Sequence, residues 1–87
     1  MTKEEIKSII LDKGEKNEEA REHWIDLPDC IKHFDGRDIV QIVYFDDEDE
    51  LYGYVVTDAN CGEFINYEVA VSDTCKEAIE KFLLTEI

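Results

Sequence analysis

Apolar positions fall into two rhythms along this chain, helical at both ends and alternating in the middle. Thr2 and Glu5 stand in capping-box spacing, Ile6, Ile9 and Ile10 follow on one helical face, and Gly14 is a natural stop. The pattern predicts a second helix from Asn17, with Glu18 and Glu19 in its first turn and a stripe of Ala20, His23, Trp24 and Leu27. Pro28 interrupts that stripe and suits the first turn of a short third helix through Phe34. Asp26 would cap it, Cys30, Ile31 and Phe34 would face inward, and Asp35-Gly36 would end it.

From residue 38 the period changes to two. Residues 38–45 read as a strand with Val40, Ile42 and Tyr44 on one face and Ile39, Gln41, Val43 and Phe45 on the other. Residues 51–57 form a second strand, and Asp58-Ala59-Asn60-Cys61-Gly62 has turn chemistry. The third strand is expected over 63–71, with Ile65, Tyr67, Val69 and Val71 opposed to Phe64, Asn66, Glu68 and Ala70. Ser72 or Asp73 caps a last helix that carries Cys75, Ala78, Ile79, Phe82 and Leu83 at helical spacing. The predicted class is α+β: a three- or four-stranded antiparallel meander, two or three N-terminal helices, and one C-terminal helix packed on the sheet. Residues 1–87 form a single small acidic domain, since two would each be too small to bury a useful core.

Charge changes the picture. Acids outnumber bases 23 to 9, a formal net charge of −14. Residues 35–74 hold Arg37 as their one base among 11 acids, so the excess sits on the segment that reads as sheet. A basic face for phosphate contacts is excluded, and adhesion to an anionic membrane is disfavoured. No apolar run approaches bilayer length, and the acidic start Met1-Thr2-Lys3-Glu4-Glu5 does not read as a signal peptide. Three cysteines close no disulfide framework, so a reducing cytoplasm is the expected setting.

The run Asp46-Asp47-Glu48-Asp49-Glu50 is the foremost candidate site. It is not a calcium loop, because Tyr52 falls where the loop requires glycine. It offers a row of carboxylates to a basic protein surface, with Asp58, Glu63 and Glu68 extending the field. Tyr52 and Tyr54, beside the run and on one strand face, suit a protein contact if that face is free of the helices. Trp24 reads as a core residue under the sheet, with an exposed anchor as the alternative. Cys30-x-x-His33 has no second close ligand pair, and His23, Cys61 and Cys75 add none, so no metal is expected. No catalytic constellation, phosphate loop or cofactor motif is present.

The stretch Glu22-His23-Trp24-Ile25-Asp26-Leu27-Pro28, then Asp38-Ile39-Val40, the acidic turn from Tyr44 to Glu50, and Thr57-Asp58-Ala59 follow one another in a recognisable order. Over about residues 20–59 this order resembles the phage uracil-DNA glycosylase inhibitors. The resemblance implies a small acidic α+β protein that imitates DNA: carboxylates take phosphate positions in a DNA-binding cleft, and a hydrophobic pocket takes an intercalating leucine. It aligns Glu22 with the acid of the family's edge-strand motif and Asp58 with an acid in a loop after a strand. It departs at His23 and Trp24, where the family has a small and an aliphatic residue, and at Cys30 and His33, where it has acids. The family also ends in a strand, and this chain is expected to end in a helix.

The expected function is therefore that of a small inhibitor, no enzyme, acting as a DNA mimic of the phage counter-defence or anti-CRISPR kind. Its partner would be a basic protein with a nucleic-acid-binding cleft, and the inhibitor itself a monomer or homodimer. The alternatives are an immunity protein against a basic nuclease toxin and a housekeeping interaction domain.

Overall fold

The computed structural model describes residues 1–29 and 31–87. α1 (Lys3–Lys13) begins with the predicted capping box: the Thr2 hydroxyl accepts the Glu5 N–H at 3.2 Å, and Glu5 accepts the Thr2 N–H at 3.0 Å. Ile6 and Ile10 are buried, and the Gly14 N–H closes the helix on the Ile10 carbonyl.

The expected second helix is instead a hairpin of β1 (Glu15–Asn17) and β2 (Glu22–Asp26), with Glu15 opposite Trp24 and Asn17 opposite Glu22. The cap signal at Asn17 serves a turn, its Oδ1 accepting the N–H groups of Glu19 and Ala20. Arg21, at φ 55°, sends the chain back. The run His23-Trp24-Ile25 is aromatic and β-branched, which suits a pleated strand, and β2 gains a full ladder with a strand far along the chain.

The expected third helix is also absent among the described residues. Leu27 N–H donates to Val40, Ile39 N–H to Ile31 and His33 N–H to Arg37, so this backbone finds partners across the loop that a helix would have supplied internally. Ile31 is buried as expected, but Phe34 is 67% exposed. Asp26, expected to cap that helix, accepts from Gln41 Nε2 at 2.8 Å. The expectation for Cys30 lies outside the described residues. His33 is buried, its Nδ1 against the Arg37 carbonyl.

β3 (Ile39–Phe45), β4 (Leu51–Asp58) and β5 (Cys61–Asn66) complete an antiparallel sheet of five strands in the order β1-β2-β3-β4-β5, more strands than the sequence predicted. β5 ends earlier than expected, because the Asn66 side chain accepts the Val69 N–H and starts α2 (Tyr67–Ala70). Val69, expected to share a strand face with Ile65, Tyr67 and Val71, lies in α2 and is 84% exposed. α3 (Asp73–Thr85) starts at Ser72, whose hydroxyl accepts the Cys75 N–H. It buries Cys75, Ile79 and Leu83, leaves Phe82 partly buried and exposes Ala78. The chain ends in this helix.

A bulge between Ile39 and Gln41 corrects the predicted facing of β3. It turns Ile39 onto the same side as Ile42 and Tyr44, opposite buried Val55, while Gln41 stays on the other side opposite Tyr54. Ile6 and Ile10 of α1 and Cys75, Ile79 and Leu83 of α3 pack with Ile25, Ile39, Ile42, Tyr44, Leu51 and Val55 in one core. All of these strand residues share one sheet face. Val43 is as deeply buried as they are but stands outside that core, on the opposite face.

Candidate functional site

The face away from the helices follows from the register. One cross-strand row holds Trp24, Val43, Tyr52 and Asn66; the next holds Asp26, Gln41, Tyr54 and Phe64; Glu22 and Phe45 form a third. Period two sends these residues to one side while Ile25, Ile42, Leu51 and Val55 go to the core. Tyr52 and Tyr54 are thus on the open side, the condition on which their availability depended. Trp24 is there too, half-buried, which corrects the expectation of a core tryptophan.

The rings form a continuous layer. Phe64, 46% exposed, lies 4.9 Å from Tyr54, 5.2 Å from Phe45 and 6.2 Å from Tyr52 between ring centroids, and Phe45 stands edge-on to Tyr52 at 5.7 Å. Gly62 allows Tyr54 to lie flat, since a Cβ at that position would come within 2.2 Å of the Tyr54 ring. Between Trp24, Val43 and Phe64 the layer opens into a shallow pocket of about 100 Å³, with Glu22 and Gln41 completing its walls.

The border of this layer is acidic. Glu15, Glu22 and Asp26 stand on the same face of β1 and β2, and no strand position of that face is a Lys or Arg. Tyr52 donates its hydroxyl to Glu48, and Asn66 donates to Glu50 at 2.9 Å. These bonds hold both carboxylates against the aromatic layer. The hydrogen bond to Glu48, with the nearby carboxylate charge, pushes the Tyr52 phenol up to about 12.

The acidic run is divided by its own contacts and is not one uniform row. Asp46 meets His23 Nε2 at 2.9 Å and Asp47 meets Arg21 at 2.7 Å, both at the start of β2. Asp49, at φ 51°, is drawn toward α1, where Lys7 lies at 3.0 Å and Lys3 at 3.9 Å; the Lys7 hydrogen bond holds its carboxyl below the usual range. Glu48 and Glu50 alone border the open face. Of the more distant acids, Asp58 accepts the Asn60 N–H in the β4–β5 turn. Glu63 shares the side of buried Val55 and pairs with Arg37, which also binds Asp35. Glu68 is exposed in the first turn of α2. The structure therefore brings together Glu22, Glu48, Glu50, Tyr52 and Tyr54, and separates them from Asp58, Glu63 and Glu68.

Sequence reasoning missed Phe45, Phe64, Gln41 and Val43 as site residues. For β5 a signal was present: Ile65 alternates with Phe64 and Asn66, so the aliphatic residue marks the core side and leaves Phe64 outside. For β3 there was none, because Ile42 and Val43 are both aliphatic and face opposite ways.

Among the described residues no three His, Cys, Asp or Glu side chains converge as metal ligands would. Burial pushes the Cys75 thiol up, which disfavours the nucleophilic thiolate. Among the described residues no helix is long and apolar enough to cross a membrane. What the open face offers chemically is flat apolar area with fixed negative charge at its border. Comparison with known proteins finds no matching family model, curated protein or solved structure.

Proposed function

We propose that this protein is a small acidic inhibitor that acts as a DNA mimic, occupying the nucleic-acid-binding cleft of a basic partner protein. The observation that carries the reading is the uncovered sheet face, where Trp24, Phe45, Tyr52, Tyr54 and Phe64 are bordered by Glu15, Glu22, Asp26, Glu48 and Glu50 with no Lys or Arg among its strand positions. A DNA-binding cleft is built to meet phosphate charge at its walls and flat bases between them. This face presents both, in carboxylates and aromatic rings. The net charge of −14 speeds encounter with a basic surface, and the rings slow release. The resemblance of residues 20–59 to uracil-DNA glycosylase inhibitors points to the same reading, but Glu22 begins β2, which β1 and β3 flank on both sides, and so does not lie on the edge strand that the resemblance implies.

The test is competition. The immobilised protein is incubated at low and raised salt with a cell fraction enriched in DNA-binding proteins, with and without excess duplex DNA. The expected partner is captured at low salt, released by salt, displaced by DNA, and blocked from binding DNA by the free inhibitor. Capture that duplex DNA does not diminish refutes mimicry and favours an immunity protein or a general interaction domain.

A further inference from the structure

We infer that the pocket between Trp24, Val43 and Phe64 is the seat for an arginine side chain of the partner. The inference rests on the reading of the protein as a binder of basic proteins and adds the recognition chemistry to it. Four observations point to arginine. The pocket has room for the head of one side chain, and Trp24, Phe64 and Val43 are among its lining residues. Glu22 lines it, and its carboxylate makes no hydrogen bond or ion pair among the described residues, whereas every carboxylate of the acidic run is already engaged by His23, Arg21, Tyr52, Lys7 or Asn66. Gln41 uses its amide nitrogen on Asp26, which leaves its carbonyl oxygen as an acceptor. The strand positions of this face carry no cation that could fill the pocket from within.

A guanidinium satisfies all of these at once. Its plane stacks on an aromatic ring, its fork of N–H donors matches a carboxylate, and its weak hydration lowers the cost of entry. A lysine ammonium supplies the charge without the plane or the fork. A second copy of this chain is a poor occupant, since pairing the two faces would set Glu15, Glu22, Asp26, Glu48 and Glu50 against themselves.

The experiment titrates 15N-labelled protein with three blocked tripeptides, tri-arginine, tri-lysine and tri-citrulline, following the indole N–H of Trp24, the chain's single tryptophan, and the Gln41 side-chain amide. Tri-arginine is expected to shift both signals at lower concentration than tri-lysine, and tri-citrulline to leave them unmoved. Glu22→Gln should weaken tri-arginine about tenfold, the scale of one lost charge-assisted contact. Asp58→Asn removes the same charge in the β4–β5 turn and should change binding less than about twofold, the scale of an exposed charge. Phe64→Leu, which keeps bulk but removes the ring, should erode the preference for arginine over lysine. The inference is overturned if shifts appear only at the acidic run, if Glu22→Gln acts no more strongly than Asp58→Asn, if lysine equals arginine, or if the signals move with protein concentration alone and the mass doubles. Those outcomes leave the DNA-competition test to judge the broader reading separately.

Discussion

Replacing Gly14 by alanine sets two physical arguments against each other. Gly14 follows α1 at φ −79° and ψ 168°, a backbone any residue adopts. By chain entropy alone the alanine variant should be more stable by about 0.4–1 kcal/mol. The packing says the opposite. A Cβ at Gly14 would lie 2.5 Å from the Ile10 carbonyl oxygen and 2.6 Å from that of Trp24. Both are backbone atoms, one in the last turn of α1 and one in the middle of β2, so neither can swing aside. Each would have to retreat by about half an ångström, prising α1 from the sheet, and overpacking of that kind costs about 1–3 kcal/mol. We expect a net loss of about 2 kcal/mol, which for a domain of this size lowers Tm by about 8–16 °C. Thermal and urea unfolding followed by circular dichroism measure it. Gly62→Ala is the control: its Cβ would meet Tyr54 at 2.0–2.2 Å, but that is a side chain with solvent beyond it. It can rotate away, and the loss should stay below about 1 kcal/mol. A Gly14→Ala protein as stable as its parent would refute the argument and the seating of α1 on β2 with it.

Ile79→Ala, at a fully buried site, should cost about 2–5 kcal/mol in urea titrations, whereas Val69→Ala should stay within about 0.5 kcal/mol. A large loss at Val69 would mean that β5 continues past Asn66. Thr2 lowers the Glu5 carboxyl, Arg37 that of Asp35 and Lys7 that of Asp49. Their folded values lie below the unfolded ones near 4.5 and 3.8, so the stability they add is present above those values and is lost as pH falls through and below them. Tm measured from pH 7 downward should therefore fall modestly below about pH 4, since exposed contacts of this kind contribute little each. At pH 7, added salt should raise Tm, because it screens a net charge of −14 more than it weakens exposed ion pairs; a falling Tm would show that the pairs dominate. Glu48→Gln should bring the Tyr52 phenol down from about 12 toward 10.0 in an NMR titration of its ring protons.

The helix at each end was legible in local chemistry. Capping at Thr2 and Ser72 and the stripes Ile6-Ile10 and Cys75-Ile79-Leu83 are contained within a few turns, so a short window carries them whole. Alternation likewise marked the two central strands. Composition placed the excess negative charge on the sheet segment. Three things were decided only by tertiary structure. The segment from Asn17 to Asp26 satisfied helical spacing as well as strand alternation, and the ladder to β3, about twenty residues on, settled the choice. The bulge at β3 set which side Ile39 faces, because pairing with β4 fixes register and local alternation does not. The fate of the acidic run was set largely by side chains remote in sequence, Tyr52 being the local exception. Lys3 and Lys7 draw Asp49 toward α1, Arg21 and His23 engage Asp47 and Asp46, and Tyr52 and Asn66 hold Glu48 and Glu50 at the aromatic layer. A one-dimensional count of carboxylates records how much charge a segment has. Where that charge points depends on which cations and donors the fold carries to it, and only the assembled sheet and helices supply those.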